Sequence, residues 1–374
     1  MLSQLQERTV KERNFGVDAL KVLSMFCIVV LHMSMHGGIM RGMATASVKY
    51  TVMWLMYAFT GCAVNSYALI SGYVGVTTGE KPGRMLTYWL QVVFYSLGIA
   101  LLFWIILPEK VTLKQTLSYL FPITNYVYWY FTAYICVMVC APMFNAALNG
   151  LSERTLKNML IFGFGLFVVL PMLMNRDLYN LKNGESAFWL GYLYMMGGYI
   201  RLHGRTSKWR LRVRSVSLIV FVVCVLVAWG WKVYFERSIV DLPYGFYPEM
   251  LIKNTSPMLL IASLCLFVYF EGVTLNAKVN WICARLSALT FGVYLIHDHP
   301  LVREYLVRDN LAWMVDAFDF KTLPFIVLGF SLAVFSVSLF VEWLRSCVFD
   351  VLKIRQRCFA LMHAVTRQST DDGT

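Results

Sequence analysis

Val17-Asp18-Ala19-Leu20-Lys21-Val22-Leu23-Ser24-Met25-Phe26-Cys27-Ile28-Val29-Val30-Leu31-His32-Met33-Ser34-Met35 is apolar and long enough to cross a bilayer, yet it holds an aspartate, a lysine and a histidine. An ionisable side chain at membrane depth is costly unless it has a partner or faces a water-filled cavity, so each of the three is a candidate for function. On a helix turning about 100° per residue, the step from Lys21 to His32 makes three turns plus about 20°. Asp18 falls about 40° to the other side of His32, so the three polar groups share one stripe. Lys21 and His32 are then about 16 Å apart along the axis. Such a stripe reads as the wall of a site rather than as a lipid-facing surface.

Composition extends this reading to the whole chain. Of its 374 residues, 59% are hydrophobic and 14% charged, with a mean hydropathy of +0.60. A soluble domain carries about 25% charged residues. The expectation is an all-α, polytopic membrane protein with about ten transmembrane helices. Apolar stretches of span length lie near 17–36, 51–75, 85–107, 126–148, 157–175, 187–202, 215–235, 254–271, 284–306 and 323–348. The far end of the ninth is interrupted by Asp298, Arg303 and Glu304. No internal repeat and no linker divides the chain, which reads as one membrane domain. Residues 1–16 would be a cytoplasmic amino terminus, 17–348 a ten-helix bundle and 349–374 a cytoplasmic tail. No small-residue cleavage site follows the first apolar run, so that span is expected to be retained.

The net charge of +12 is distributed between apolar segments, which points to membrane topology rather than to nucleic acid. With the amino terminus inside, the inner segments carry 20 lysines and arginines and the outer ones 12, Lys21 making up the 33. Both termini are therefore expected in the cytoplasm, in a cell (inner) membrane. His32 and His297 would then lie at a similar depth in the outer half, where two histidines can face one cavity. The nine cysteines form no C-x-x-C pair. Cys136 and Cys140 share a helix face and read as small core residues.

Four stretches stand together in order: Asp18-Ala19-Leu20-Lys21 followed by His32, Ile70-Ser71-Gly72-Tyr73, Trp129-Tyr130-Phe131 with Tyr134 and Pro142, and Phe291-Gly292-Val293-Tyr294-Leu295-Ile296-His297. This set resembles the acyltransferase-3 family of integral-membrane acyltransferases over nearly the whole chain. That family has an aspartate, an arginine or lysine and a histidine at these spacings in its first span. Ser-Gly-Tyr-like, Trp-Tyr-Leu-like and Tyr-Leu-Ile-His-like stretches follow. Lysine at 21 replaces the commoner arginine. The loop after the second span, often richly basic, retains only Lys81 and Arg84. The absence of a hydrolase-like domain after the tenth span suggests the family's short form.

Transfer of an acyl group from a thioester to a hydroxyl needs a base near neutral pH and a cradle for anionic phosphates. His32 is the expected base, since imidazole has the unperturbed pKa nearest neutral. The bland alternative is a histidine hydrogen-bonded to a neighbouring helix. Asp18 is about 21 Å from His32 along the axis and cannot orient it. It would instead pair with Lys21, which as a point charge in a cavity would contact the donor. His297 is the second catalytic candidate, and either it or Tyr294 would hold the acceptor or the developing oxyanion. Trp129 and Tyr130 suit sugar stacking as well as an interfacial belt or core packing. Ser71 joins the substrate-binding candidates through its motif. Lys81 and Arg84, with Arg205 in the basic run Arg201–Arg214, would attract the donor's phosphates, although the run also serves as an orientation signal. A zinc site at His297-Asp298-His299 with His32 and His36 is disfavoured, because adjacent His-x-His rings on a helix point apart. No metal or prosthetic group is expected.

The resemblance thus implies a membrane O-acyltransferase using acyl-CoA, with acetyl-CoA expected, and a hydroxyl on an extracytoplasmic glycan or cell-surface polysaccharide, free or lipid-linked. Its partners would be that donor, a carbohydrate acceptor and membrane lipid. The same stripe would suit a transporter or flippase, but no paired broken helices mark the two halves. A signalling or scaffold protein with structural polar groups is the other alternative.

Overall fold

The computed structural model describes residues 13–78, 82–204, 210–238 and 246–371, and every regular element among them is helical. The principal helices are α1 (Phe15–His36), α2 (Val48–Thr60), α3 (Ala63–Thr78), α4 (Pro82–Ile106), α5 (Trp129–Gly150) and α6 (Glu153–Phe164). They continue with α7 (Ala187–His203), α8 (Arg210–Arg237), α9 (Pro257–Glu271), α10 (Ala277–His297), α11 (Leu323–Val351) and α12 (Ile354–Asp371). A helix lies at each of the ten places that hydropathy marks. Eight helical stretches among the described residues are long and apolar enough to cross a membrane, taking α2 with α3 as one and α6 through to Met174 as another. The others, α7 with 17 residues and α9 with 15, rise about 25 and 22 Å, short of a hydrocarbon layer of about 30 Å.

Local chemistry sets several of the ends. Ser152, Ser186 and Ser256 cap α6, α7 and α9, each hydroxyl accepting a backbone N–H three residues on. Pro257 follows Ser256 at the first helical position, where its missing N–H costs nothing.

Three boundaries differ from those that hydropathy suggests. The second span is two helices, parted at Gly61 and Cys62. The ninth ends at His297 rather than 306, because Pro300 forces His299 into an extended conformation (ψ 131°) before a fresh turn begins. The tail after the last span is largely the helix α12, which packs on α4 where Phe359 meets Gly83.

The chain divides into two compact units, one of residues 1–28, 53–79 and 140–287, the other of residues 29–52, 80–139 and 288–374. In the first, α3 and α7 approach through glycines: a Cβ on Gly72 would overlap the Tyr194 carbonyl, and one on Gly197 the Leu69 carbonyl. Small residues allow this backbone contact, the usual basis of helix association in a solvent as apolar as the side chains. Phe221 and Val225 of α8 pack with Leu259 and Ala262 of α9 and Ala58 of α2. Lys232, 3% exposed, is paired with Glu236 and Glu249 at 2.5 and 2.6 Å.

The second unit also buries a charge. Glu342 of α11 is 1% exposed. It accepts two hydrogen bonds from Arg345 (2.6 and 2.9 Å), one from Gln91 (3.1 Å) and one from Tyr95 (2.7 Å). A Cβ at Gly292 would overlap this carboxylate, so the glycine of the Phe291–His297 motif makes room for it.

Candidate active site

The site grows from the end of α1. At Gly38 the backbone turns with φ +86°, a conformation suited to glycine. The N–H groups of Asp309 and Leu311 then donate to the carbonyls of His36 and Gly37, both at 3.0 Å. Carbonyls that a helix end leaves open are thereby satisfied, and the last turns of α1 are held in place. His32 and His36, four residues apart, share a face there, with ring centroids 5.2 Å apart.

α10 brings His297 to the same place. Its Nε2 lies 3.0 Å from His32 Nδ1, and its own Nδ1 lies 2.6 Å from the Val293 carbonyl oxygen. A carbonyl only accepts, so His297 Nδ1 carries a hydrogen and donates it. In the neutral ring, Nε2 is then an acceptor, and the hydrogen between the two rings belongs to His32 Nδ1. The lone pair of neutral His32 is consequently on Nε2. One backbone carbonyl thus sets the tautomer of both rings.

Asp298, buried at 3% exposure, stands on the same side, its Oδ1 3.5 Å from His32 Nδ1. Arg303 Nη1 lies 3.4 Å from that oxygen, and Tyr294 stands close to the carboxylate. The Tyr294 hydroxyl also accepts the Tyr130 N–H at 3.3 Å. Tyr128, fully buried, donates to the Leu295 carbonyl at 2.8 Å. These bonds tie the start of α5 to the end of α10.

The expected residues fall into two groups. His32, His297, Tyr294, Trp129, Tyr130 and Arg84 belong to the unit of residues 29–52, 80–139 and 288–374. The Tyr130 ring is buried against Tyr134 and Tyr294, whereas Trp129 is half-buried. His297 Nε2 faces His32 as an acceptor in the tautomer that its Nδ1–Val293 bond sets. Asp18, Lys21 and Ser71 belong to the other unit. Asp18 binds Arg13 (2.6 Å) and the Ser287 hydroxyl (2.7 Å). Lys21 Nζ stands 5.6 Å from the centre of the Tyr67 ring. The Ser71 hydroxyl donates to the Ala68 carbonyl of its own helix at 2.6 Å, and Tyr73 of the same motif binds Arg201 (2.8 Å) and Glu271 (3.1 Å). Lys81 and Arg205 lie outside the described residues.

The sequence marks Arg303 only as an interruption of a span, and Asp298 as that and as part of a disfavoured zinc cluster. An acid beside a motif histidine, with an arginine five residues on, is the pattern that marks them. His299 is spent on structure: its Nε2–H donates to the Ser96 carbonyl (3.1 Å), its Nδ1 accepts the Leu301 N–H (3.1 Å), and Tyr119 stacks on the ring. Among the described residues, the groups placed to share a metal ion are His32, His36 and Asp298, with ligand atoms all within 4.8 Å of one another.

A family model described as an acyltransferase domain, the acyltransferase-3 type, matches residues 14–342. No curated protein and no solved structure matches the chain.

Proposed function

We propose, from the premise that this chain belongs to the acyltransferase-3 family of membrane acyltransferases, that it is an O-acetyltransferase. It moves an acetyl group from cytoplasmic acetyl-CoA to a hydroxyl of an extracytoplasmic glycan. The observation that carries the reading is the His297–His32 pair, which leaves a lone pair on His32 Nε2. The acceptor O–H donates its proton to that nitrogen as its oxygen bonds to the thioester carbonyl carbon. The C–S bond then breaks, and the departing thiolate takes the proton back from His32. During the step His32 is an imidazolium, and Asp298 at 3.5 Å opposes that charge while His297 keeps hold of Nδ1–H. Arg303 and Tyr294 position Asp298.

On this reading Lys21 contacts the donor, and Arg84, with Lys81 and Arg205, attracts its phosphates. Trp129 faces the acceptor sugar. Asp18 braces Arg13 and Ser287. The amino and carboxyl termini are cytoplasmic, and the acetyl group crosses to the outer face. Purified protein given acetyl-CoA and a polysaccharide acceptor should release free thiol and yield an acetylated glycan, detected by mass. A well-folded wild-type protein that neither binds acetyl-CoA nor releases thiol would overturn the proposal and favour a transporter.

A further inference from the structure

We infer that His32, His36 and Asp298 form a binding site for one zinc-class divalent ion, and that an ion there switches the acyltransferase off. The inhibitory consequence rests on the reading of His32 as the base; the binding does not. Two histidines at i and i+4 on one helix face are the spacing by which a helix presents two imidazoles to a single metal. Here the third ligand comes from another segment. Asp298 Oδ1 is 3.5 Å from His32 Nδ1, and all three residues bring a ligand atom within 4.8 Å of the others. Zinc takes nitrogen and carboxylate oxygen at about 2.0–2.2 Å in a tetrahedron, so neighbouring ligand atoms lie roughly 3.3–3.5 Å apart. The His32–Asp298 separation already has that length. The His36 ligand atom, within 4.8 Å of the other two, makes the third protein ligand.

The three ligands are a subset of the cluster that the sequence disfavours, His297-Asp298-His299 with His32 and His36. The objection was that His297 and His299 point apart, and they do: His299 is held by Ser96 and Tyr119, and His297 by Val293. The useful pair is instead His32 and His36. The scaffold is also firm, since the Asp309 and Leu311 N–H groups hold the end of α1 from which both histidines project. Arg303, 3.4 Å from the same carboxylate oxygen, opposes a second cation and keeps the affinity below that of a structural zinc site.

Occupancy removes the base whichever ring nitrogen is used. Metal on His32 Nε2 takes the lone pair directly. Metal on Nδ1 displaces the proton from that nitrogen, and in the neutral ring the proton then resides on Nε2. His36 has no part in the proposed transfer step, so its loss should spare basal activity while abolishing control by metal.

The test is titration of the purified, detergent-solubilised full chain with zinc chloride, followed by calorimetry and by acetyl transfer. Wild type should bind one ion per chain. His36→Ala and Asp298→Asn should each weaken binding at least tenfold with unchanged melting curves in the absence of metal. Zinc should inhibit wild-type transfer, a chelator should restore it, and His36→Ala should remain active with an inhibitory concentration raised at least tenfold. Absence of binding to wild type, or undiminished binding to folded His36→Ala, would overturn the site. Tight binding without inhibition of an active enzyme would overturn the switch. If no transfer occurs in any variant, calorimetry alone still decides the site.

Discussion

A histidine acts as a base only through a nitrogen that holds a lone pair, and here the Val293 carbonyl makes that choice for two rings. His32→Ala should reduce glycan acetylation by about 10²–10⁴-fold, the usual contribution of a positioned base, while acetyl-CoA binding survives. Near-normal acetylation in a well-expressed His32→Ala protein would remove the mechanism. On the proposed mechanism His297 acts through His32 and is a positioning residue. Its replacement by alanine should lower kcat by about 10–100-fold, as when other partners that orient a functional histidine are lost. KM for the donor should be little changed. His297→Gln, whose amide oxygen can accept from His32 Nδ1–H, should recover part of the loss, whereas a purely structural role predicts no difference in kcat between the folded variants. Lys21→Ala should weaken acetyl-CoA binding and Lys21→Arg should be mild; equal affinity in wild type and Lys21→Ala would make Lys21 a structural residue. At this scale His32, His297 and Lys21 stood out as candidates because ionisable groups are rare in apolar spans. Asp298 entered only as an interruption of a span and as a member of a disfavoured zinc cluster, because its partners His32 and Arg303 are seen only once the helices pack.

Elements are held by contacts that hydropathy does not register. Gly197 and Gly72 let α3 and α7 touch backbone to backbone, so Gly197→Val should part the helices. The expected loss is about 1–3 kcal/mol, the range for overpacking a close contact, read as a lower melting temperature in detergent. The cluster of Glu342, Arg345, Gln91 and Tyr95 makes a sharper case. Arg345 counts as an inner topogenic charge in the sequence, yet its side chain is 10% exposed and paired with a carboxylate 1% exposed. Arg345→Met would strand that carboxylate, at a cost of about 3–5 kcal/mol. Glu342→Gln/Arg345→Met should regain most of it, because no buried charge is then left unpaired; equal melting of the single and double variants would refute the pairing. Ten apolar stretches foretold where helices lie, whereas the break at Gly61–Cys62 and the early end of α10 at His297 depend on backbone geometry.

For the whole molecule, the excess of lysine and arginine on one set of loops predicts opposite locations for reporters fused after Asp319 and after Thr374, with the latter cytoplasmic. Matching locations would remove the shared depth proposed for His32 and His297. The sequence by itself determined that this is a helical membrane protein of the acyltransferase-3 family. A bilayer demands internally satisfied backbone over about 20 apolar residues, and that demand is written directly in composition. It also named the histidines, because a polar group in such a segment stands out. Only the tertiary structure decided what those histidines meet. Their meeting joins residues 265 apart in the chain, and it depends on the rotation of α1 and α10, on Pro300 ending one helix, and on Asp309 and Leu311 closing another. Hydropathy records how apolar a helix is, but not which neighbour its polar face meets. The proposed base nitrogen, the carboxylate beside it and the proposed metal site therefore appear only once the helices are packed.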